Sequence, residues 1–430
     1  MNFQERLLKV IPGGAHTYSR GYDQFPANAP QILASGKGAY VFDADGNKYL
    51  DYGMALRAVN IGYAEDEIDA AAIAQIRNGN NLTRASLIEL EAAELLVDLI
   101  DSVDMVKFTK NGSTSVSAAV KLARAYTGRE LVARCAEHPF FSYDDWFIGS
   151  TPLTRGIPRD TVEKTKLFRY NDIASLENLI AEYPQQFACV VLEPAATEAP
   201  RDDFLQRVQA LCEQHGIVFV LDEMITGFRW HMKGAQHVYG VRPDLCTFGK
   251  AMANGFSVSC VAGRREIMEL GSIEFEGRER VFLLSTTHGA EMAGLGAFVA
   301  SVNFMRAHGV VEHLWHYGTE LMAMLERQAR ANGIDRSFKV GGVSCSPWYL
   351  TLDAAGAVSL PLRTLFAQEM IRNGVLMPWI ALSYRHGAAE LAATERAVER
   401  SFAVYRRALD EGVDNYLVGP AVKPVFRKHN

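Results

Sequence analysis

Five short, largely apolar runs recur between residues 105 and 248: Met105–Phe108, Leu131–Arg134, Cys189–Leu192, Val218–Leu221 and Leu245–Phe248. Helical patterns separate them. Ser115–Tyr126 carries Ala119, Leu122 and Ala123 on one face, and Phe204–His215 supplies another helix. Strands that are apolar without alternation belong inside a sheet covered on both faces, and strand–helix alternation makes that sheet mostly parallel. Open sheets of this kind bind ligands outside the carboxyl ends of their strands. Residues that follow these five runs are therefore the first to inspect for chemistry.

The flanks read differently. Ile11–Ala15 is a turn-rich opening, and Ala44-Asp45-Gly46-Asn47 between Gly38–Asp43 and Lys48–Tyr52 predicts a hairpin. Ser86–Leu99 has helical spacing. Beyond residue 306 the chain predicts a long helix over Val310–Ala331, a strand at Trp348–Leu352, and helices over Pro361–Asn373 and Ala388–Asp410. The expected organisation is an N-terminal segment 1–60, a large domain 61–305 and a smaller α+β domain 306–430. A length of 430 residues accommodates this.

Composition narrows the function classes. A net charge of -6 gives no attraction to nucleic acid or an anionic membrane. The six cysteines form no CxxC pair, as expected of buried thiols in a reducing compartment. No apolar run reaches the roughly 20 residues a membrane span needs, and the N-terminus, with Glu5 and Arg6, does not read as a signal peptide. A cytoplasmic protein is expected. No HExxH or paired CxxC sequence occurs, so a zinc site has no support; no GxSxG occurs, which weakens an acyl hydrolase reading, and no phosphate-binding GxxxxGK[ST] is present.

Three strand ends carry candidate chemistry. Lys250, after Leu245–Phe248, lies between Gly249 and Gly255; an imine-forming lysine needs a desolvated pocket and a backbone that can approach a ligand. The other reading is a solvated surface lysine. Asp222 ends Val218–Leu221. A carboxylate there needs a partner, either a pyridinium N–H or, as a cap, the backbone that follows. Lys110-Asn111-Gly112-Ser113-Thr114 joins a strand to a helix; it reads as a phosphate cradle or as a plain loop with a capping residue. Leu284–Gly289 is a second hydroxyl-rich segment with the same two readings, and the aromatics of 138–146 either stack on a planar ring or fill the core.

With these residues in view, the chain resembles the class III aminotransferases of pyridoxal-phosphate (PLP) fold type I, and within them the glutamate-1-semialdehyde aminomutase-like enzymes. The resemblance spans almost the whole length. It rests on Gly13-Gly14-Ala15-His16-Thr17-Tyr18-Ser19-Arg20, Phe42–Tyr52, Asp222-Glu223-Met224-Ile225-Thr226-Gly227-Phe228-Arg229, and Phe248-Gly249-Lys250 followed by Gly255. It implies an α/β fold with a mostly parallel seven-stranded sheet, helices on both faces and a smaller α+β C-terminal domain. It also implies a homodimer with shared active sites.

The resemblance further implies residue roles. Lys250 forms the Schiff base with pyridoxal 5'-phosphate and shuttles protons, and Asp222 pairs with the pyridine nitrogen. Met224 lies against the ring, Asn111, Gly112 and Ser113 hold the phosphate, and Glu193 stands near the cofactor. Thr287 reaches the neighbouring subunit's phosphate. Arg20 binds a substrate carboxylate.

Departures from the family pattern matter. The usual Ser-Gly-Thr-Glu loop is Asn111-Gly112-Ser113-Thr114, and Tyr-His-Gly is Phe140-Phe141-Ser142, so Phe140 stacks without a hydroxyl. Tyr52–Val59 replaces the aminomutase's Ser-Trp-Gly-Pro segment and adds Arg57, and Ser383–His386 adds Arg385. Both arginines are further candidates for substrate anions. These variants look more like aminotransferases that use L-glutamate to aminate an aldehyde or keto sugar acid in surface-polysaccharide pathways. The alternatives are the aminomutase reaction and a PLP-binding domain without turnover.

Overall fold

A computed structural model of the chain describes residues 2–429. It divides into two compact units. One unites the segment ending at Glu65 with Glu312–Arg427; the other runs from Asp66 to Val311 and takes in the last residues of the chain. The N-terminal residues thus share a unit with the C-terminal stretch.

The first unit opens with β1 (Leu33–Lys37), β2 (Tyr40–Asp43) and β3 (Lys48–Asp51), paired antiparallel in that order. The expected hairpin joins β2 to β3. Asp43 Oδ1 accepts the N–H groups of Asp45 and Asn47 at 3.0 and 2.8 Å, and Gly46 takes φ 85°. Glycine adopts that conformation without the Cβ penalty, so the turn closes tightly.

The second unit is built on β4 (Met105–Thr109), β5 (Leu131–Cys135), β6 (Thr165–Phe168), β7 (Phe187–Leu192), β8 (Val218–Asp222), β9 (Leu245–Phe248) and β10 (Ser259–Gly263). They form one sheet in the order β4-β10-β9-β8-β7-β5-β6. β10 is antiparallel to both neighbours, while β9, β8, β7, β5 and β6 pair in parallel. Every residue of β7, β8 and β9 is buried, as their unbroken apolar runs predict. On one side Phe187, Val190, Leu192, Phe219 and Leu221 pack with Phe204, Leu205 and Val208 of the helix Phe204–His215. Each such side chain contributes about 1.5–3 kcal/mol on burial.

Two strands of this sheet escape the sequence reading. β6 is a four-residue strand at the sheet's end with only its terminal residues buried, and β10 is made of small residues. The helix expected from Ser115 begins at Gly112 instead, capped by Asn111, and runs to Thr127. Gly112 and Ser113 therefore occupy its first turn and present backbone N–H groups there.

Returning to the first unit, β11 (Phe338–Val343) and β12 (Ser346–Thr351) form a two-stranded antiparallel sheet, and β13 (Val375–Leu376) pairs in parallel with β3. Helices span Leu360–Arg372 and Ala388–Glu411. Among the described residues, no helix is long and apolar enough to cross a membrane, no three His, Cys, Asp or Glu side chains group to hold a metal ion, and all six cysteines are free and buried.

Candidate active site

Asp222, the last residue of β8, pairs across the ladder with Thr247 of β9. Lys250 follows Thr247 by three residues. Glu193 follows β7 directly. Since β7, β8 and β9 are neighbours, parallel pairing alone gathers two acids and one amine at the same edge of the sheet.

The Asp222 carboxylate is buried. Its Oδ1 accepts from the Met224 N–H at 3.0 Å and from the Thr247 hydroxyl at 3.0 Å. The capping reading of Asp222 is thus realised through Met224, and both bonds fall on one oxygen. Burial pushes its carboxyl up to about 6, against the opposing pull of Lys250 and these two donors. A partner for Oδ2 such as a ring N–H would reverse that penalty.

Lys250 is half-buried and has φ 46°, in the left-handed region. A lysine gains nothing from that conformation by itself. Non-glycine residues held there cluster at ligand sites because the surrounding structure fixes them. Gly249 precedes it in fully extended form, so its smallness, rather than its φ, is what the site uses. A Cβ on Gly249 would lie 2.6 Å from Met224 Sδ, and one on Gly112 would lie 2.8 Å from the same atom. Met224 is thereby wedged between the Lys250 loop and the first turn of the helix Gly112–Thr127. The two glycines keep open the space that side chains would fill.

That first turn is tied to the aromatic segment. Ser113 Oγ accepts the Tyr143 N–H at 3.2 Å, which leaves its own hydroxyl proton to donate. Ser142 Oγ donates to the Ser113 carbonyl at 3.3 Å and lies 3.0 Å from Ser117 Oγ, which accepts from Trp146 Nε1 at 2.8 Å. Asn111 Oδ1 is committed to the cap, accepting from Thr114 N and Oγ1 at 2.9 and 3.1 Å. Of the aromatics of 138–146, Phe140 (47%) and Tyr143 (60%) are exposed while Phe141 and Trp146 are buried.

Sequence reasoning did not single out two supports. His138 is buried, and its Nδ1 accepts the Glu193 N–H at 3.0 Å. Burial, aided by Arg134, lowers it to about 3, so the ring is neutral. Glu223 is buried too. It accepts from the Thr226 hydroxyl and from the N–H groups of Ala235 and Gln236 at 2.9 and 2.8 Å, bracing the loop that carries Met224. Its neighbour Asp222 drew the attention at the sequence level. An acid–hydroxyl pair three residues apart, Glu223 and Thr226, was the available signal.

Thr287 is exposed, in a turn before the helix Met292–His308, and its carbonyl accepts from Asn81 at 3.1 Å.

The three arginines lie in the other unit. Arg385 makes a bidentate pair with Glu65, Nε and Nη2 each 2.7 Å from a carboxylate oxygen; this fork is already matched. Arg20 is exposed at the end of a short 3-10 turn. Arg57 ends a segment of rare geometry. Met54, Ala55, Leu56 and Arg57 have φ of 39°, 49°, 62° and 66°, one turn of left-handed helix without a glycine. Left-handed backbone costs roughly 1–2 kcal/mol per such residue, about 4–8 kcal/mol in all.

Asp51 offsets part of that cost. Its Oδ1 accepts Gly53 N–H at 2.7 Å. Its Oδ2 accepts Met54 N–H at 3.0 Å and the Tyr63 hydroxyl at 2.6 Å, and that hydroxyl accepts Ala55 N–H at 2.8 Å. Burial raises the pKa of this carboxyl, while the Tyr63, Gly53 and Met54 donors favour its ionised form. Hydrogen bonds to a charged group contribute about 1.5–3 kcal/mol each, offsetting part of that strain. Tyr63 is driven far up by burial and then by Asp51, while Arg20 lowers it, which places the Arg20 charge near this turn.

Comparison with known proteins decides the family. The profile described as "Aminotransferase class-III" matches residues 18–343. The chain belongs to the class III aminotransferases. It is a pyridoxal-phosphate-dependent aminotransferase, and its seven-stranded sheet is that of PLP fold type I. It is 31% identical to the 3-aminobutyryl-CoA aminotransferase of Cloacimonas acidaminovorans (strain Evry), over 95% of this chain and 98% of that protein. It is 28% identical to a glutamate-1-semialdehyde 2,1-aminomutase of Francisella philomiragia, over 94% and 96% of the two chains. Among solved structures, the FumI protein of Sphingopyxis sp. MTA144 superposes with a TM-score of 0.86 at 28% identity, over 95% of this chain and 97% of that one.

Proposed function

We propose that this aminotransferase takes its amino group from L-glutamate and gives it to an acceptor that carries a carboxylate beside an aldehyde or ketone. We take that acceptor to be a sugar acid, with 8-oxo-3,8-dideoxy-manno-octulosonate of lipopolysaccharide sugar biosynthesis as the first candidate. The observation that carries the donor half is the meeting of Asp222 and Lys250 at adjacent strand ends, with Gly112 and Gly249 holding space beside Met224. The acceptor half rests on Arg57, an arginine kept where the backbone would favour glycine. Arg20 is its companion for carboxylates.

Pyridoxal phosphate, when bound, supplies a carbonyl that captures amines and a ring that draws electrons from the attached carbon. The residues do the rest. Asp222, whose Oδ1 is taken by Met224 N–H and the Thr247 hydroxyl, would hold the proton of the ring nitrogen through Oδ2. Lys250 Nζ supplies the tethering amine and moves a proton to and from the reacting carbon. The helix N-terminus at Gly112 and Ser113 and the Ser113 hydroxyl donate to the phosphate, with Asn111 fixing that turn. Phe140 and Met224 would flank the ring, and Glu193, whose backbone N–H is held by His138 Nδ1, would stand near it.

We infer a homodimer in which Thr287 serves the partner's phosphate. Ile73, Ile76, Leu82, Leu87 and Leu90 leave a run of exposed apolar side chains suited to such an interface. Six buried thiols fit a cytoplasmic setting.

Borohydride reduction of the PLP-loaded protein, followed by peptide mass analysis, should tag Lys250 and no other lysine. Glutamate should then yield 2-oxoglutarate in proportion to acceptor consumed. Turnover of glutamate-1-semialdehyde with no external donor, and no 2-oxoglutarate from glutamate, would instead establish the aminomutase reaction.

A further inference from the structure

We infer that Asp51 and Tyr63 are positioning residues for substrate binding, acting together as a lock that holds residues 54–57 left-handed and so sets where Arg57 reaches. This rests on the reading of Arg57 as a receptor for a substrate carboxylate.

The geometry is that of an anion nest turned inward. A right-handed residue followed by a left-handed one turns successive N–H groups toward one concave point, and such points bind anions; Gly53 at φ -77° and Met54 at φ 39° make that pair. Here the N–H groups of Gly53, Met54 and Ala55 converge on the Asp51 carboxylate, the first two directly at 2.7 and 3.0 Å and the third through Tyr63 Oη at 2.8 Å. The chain's own carboxylate fills the nest, so the backbone is closed to an external anion. Recognition passes to the side chain at the end of the turn. Trp379 Nε1 adds a bond to the Gly53 carbonyl at 3.0 Å, and Arg57 N–H and Val59 N–H return to Gly53 and Met54 carbonyls at 3.2 Å each.

Nothing in the residue types of 54–57 favours this conformation. Methionine, alanine, leucine and arginine are all better accommodated right-handed. The turn persists because of contacts made outside it. Tyr63 is the one member of the lock that reaches from beyond the turn to both Asp51 and Ala55, so loss of its hydroxyl removes two bonds while leaving ring packing in place. The conformation then relaxes and carries Arg57 with it.

The test uses PLP-loaded holoenzyme and glutarate, a dicarboxylate that cannot react, titrated through the change it causes in cofactor absorbance. Arg57→Met and Tyr63→Phe should each weaken glutarate by about tenfold or more, a size set by one charge-assisted contact, with cofactor loading unchanged. Adding Ala55→Gly to Tyr63→Phe should recover most of the loss, because glycine tolerates the left-handed region unaided. A merely structural role for Tyr63 would not respond to that glycine. If Arg57→Met leaves glutarate binding intact, the Arg57 reading falls and the lock with it. If Arg57→Met weakens binding while Tyr63→Phe does not, or Ala55→Gly fails to rescue, the lock alone is overturned. Asp51→Asn probes the other half of the same lock and takes the place of Tyr63→Phe if that variant does not fold.

Discussion

Replacing Asp222 with asparagine should make the cofactor-free protein more stable at pH 8 while abolishing its activity. In the free chain the carboxyl is buried and pushed up to about 6 from 3.8. Its folded value is thus raised above its unfolded one. Below pH 3.8 the group is neutral in both states and costs nothing. As pH rises toward 6 the unfolded chain releases the proton first, and stability is lost. Above that window the full cost applies, roughly 3 kcal/mol at about 1.36 kcal/mol per pH unit. The pull of Lys250 is already contained in that value. Asparagine mimics the protonated acid: its carbonyl oxygen can still accept from Met224 N–H and the Thr247 hydroxyl. Thermal unfolding of cofactor-free wild type and Asp222→Asn, run in parallel at pH 4, 6 and 8, compares this titration directly, because groups not coupled to Asp222 cancel. The variant should melt a few degrees higher at pH 8, an estimate from typical unfolding entropies, and the gap should close by pH 4. An equal or lower melting temperature at pH 8, or a gap that ignores pH, would refute the reasoning. With PLP bound the order should invert, since only the carboxylate can hold the ring proton.

Gly249→Ala should cost about 1–3 kcal/mol through overpacking, since its Cβ would meet both Ser259 Oγ and, at 2.6 Å, Met224 Sδ; Ser259→Ala in the same chain should relieve only part of that loss because the Met224 contact remains, read by melting temperature and PLP retention. Glu223→Ala should destabilise by about 3–5 kcal/mol, because it strands the Thr226 hydroxyl and two backbone N–H groups in a buried site, and denaturant unfolding measures it.

The central strands were legible because burial on both faces writes itself as an unbroken apolar run, visible in Cys189–Leu192 and Val218–Leu221. β6 was not, since only its terminal residues are buried and its run Thr-Lys-Leu-Phe is mixed. β10 was not, because Ser-Cys-Val-Ala-Gly takes its burial from neighbours rather than from its own hydrophobicity. The helix start at Gly112 was misplaced by three residues because glycine and serine read as loop, whereas here the Asn111 cap makes them the first turn. At the site, Lys250 and Asp222 stood out as charged residues ending apolar runs. His138 and Glu223 did not, since their partners lie in contacts made only on folding.

Sequence by itself determined the class of fold and the chemistry at the sheet's edge, because periodicity and residue type are local and survive without coordinates. Tertiary structure alone decided which arginines are spoken for and how Arg57 is presented. Arg385 meets Glu65, 320 positions away in the chain, and the left-handed turn at 54–57 runs against the propensity of every residue in it. Its stability comes from a buried carboxylate and a phenol reaching in from residue 63, and pairings of that kind leave no periodic trace in the order of amino acids.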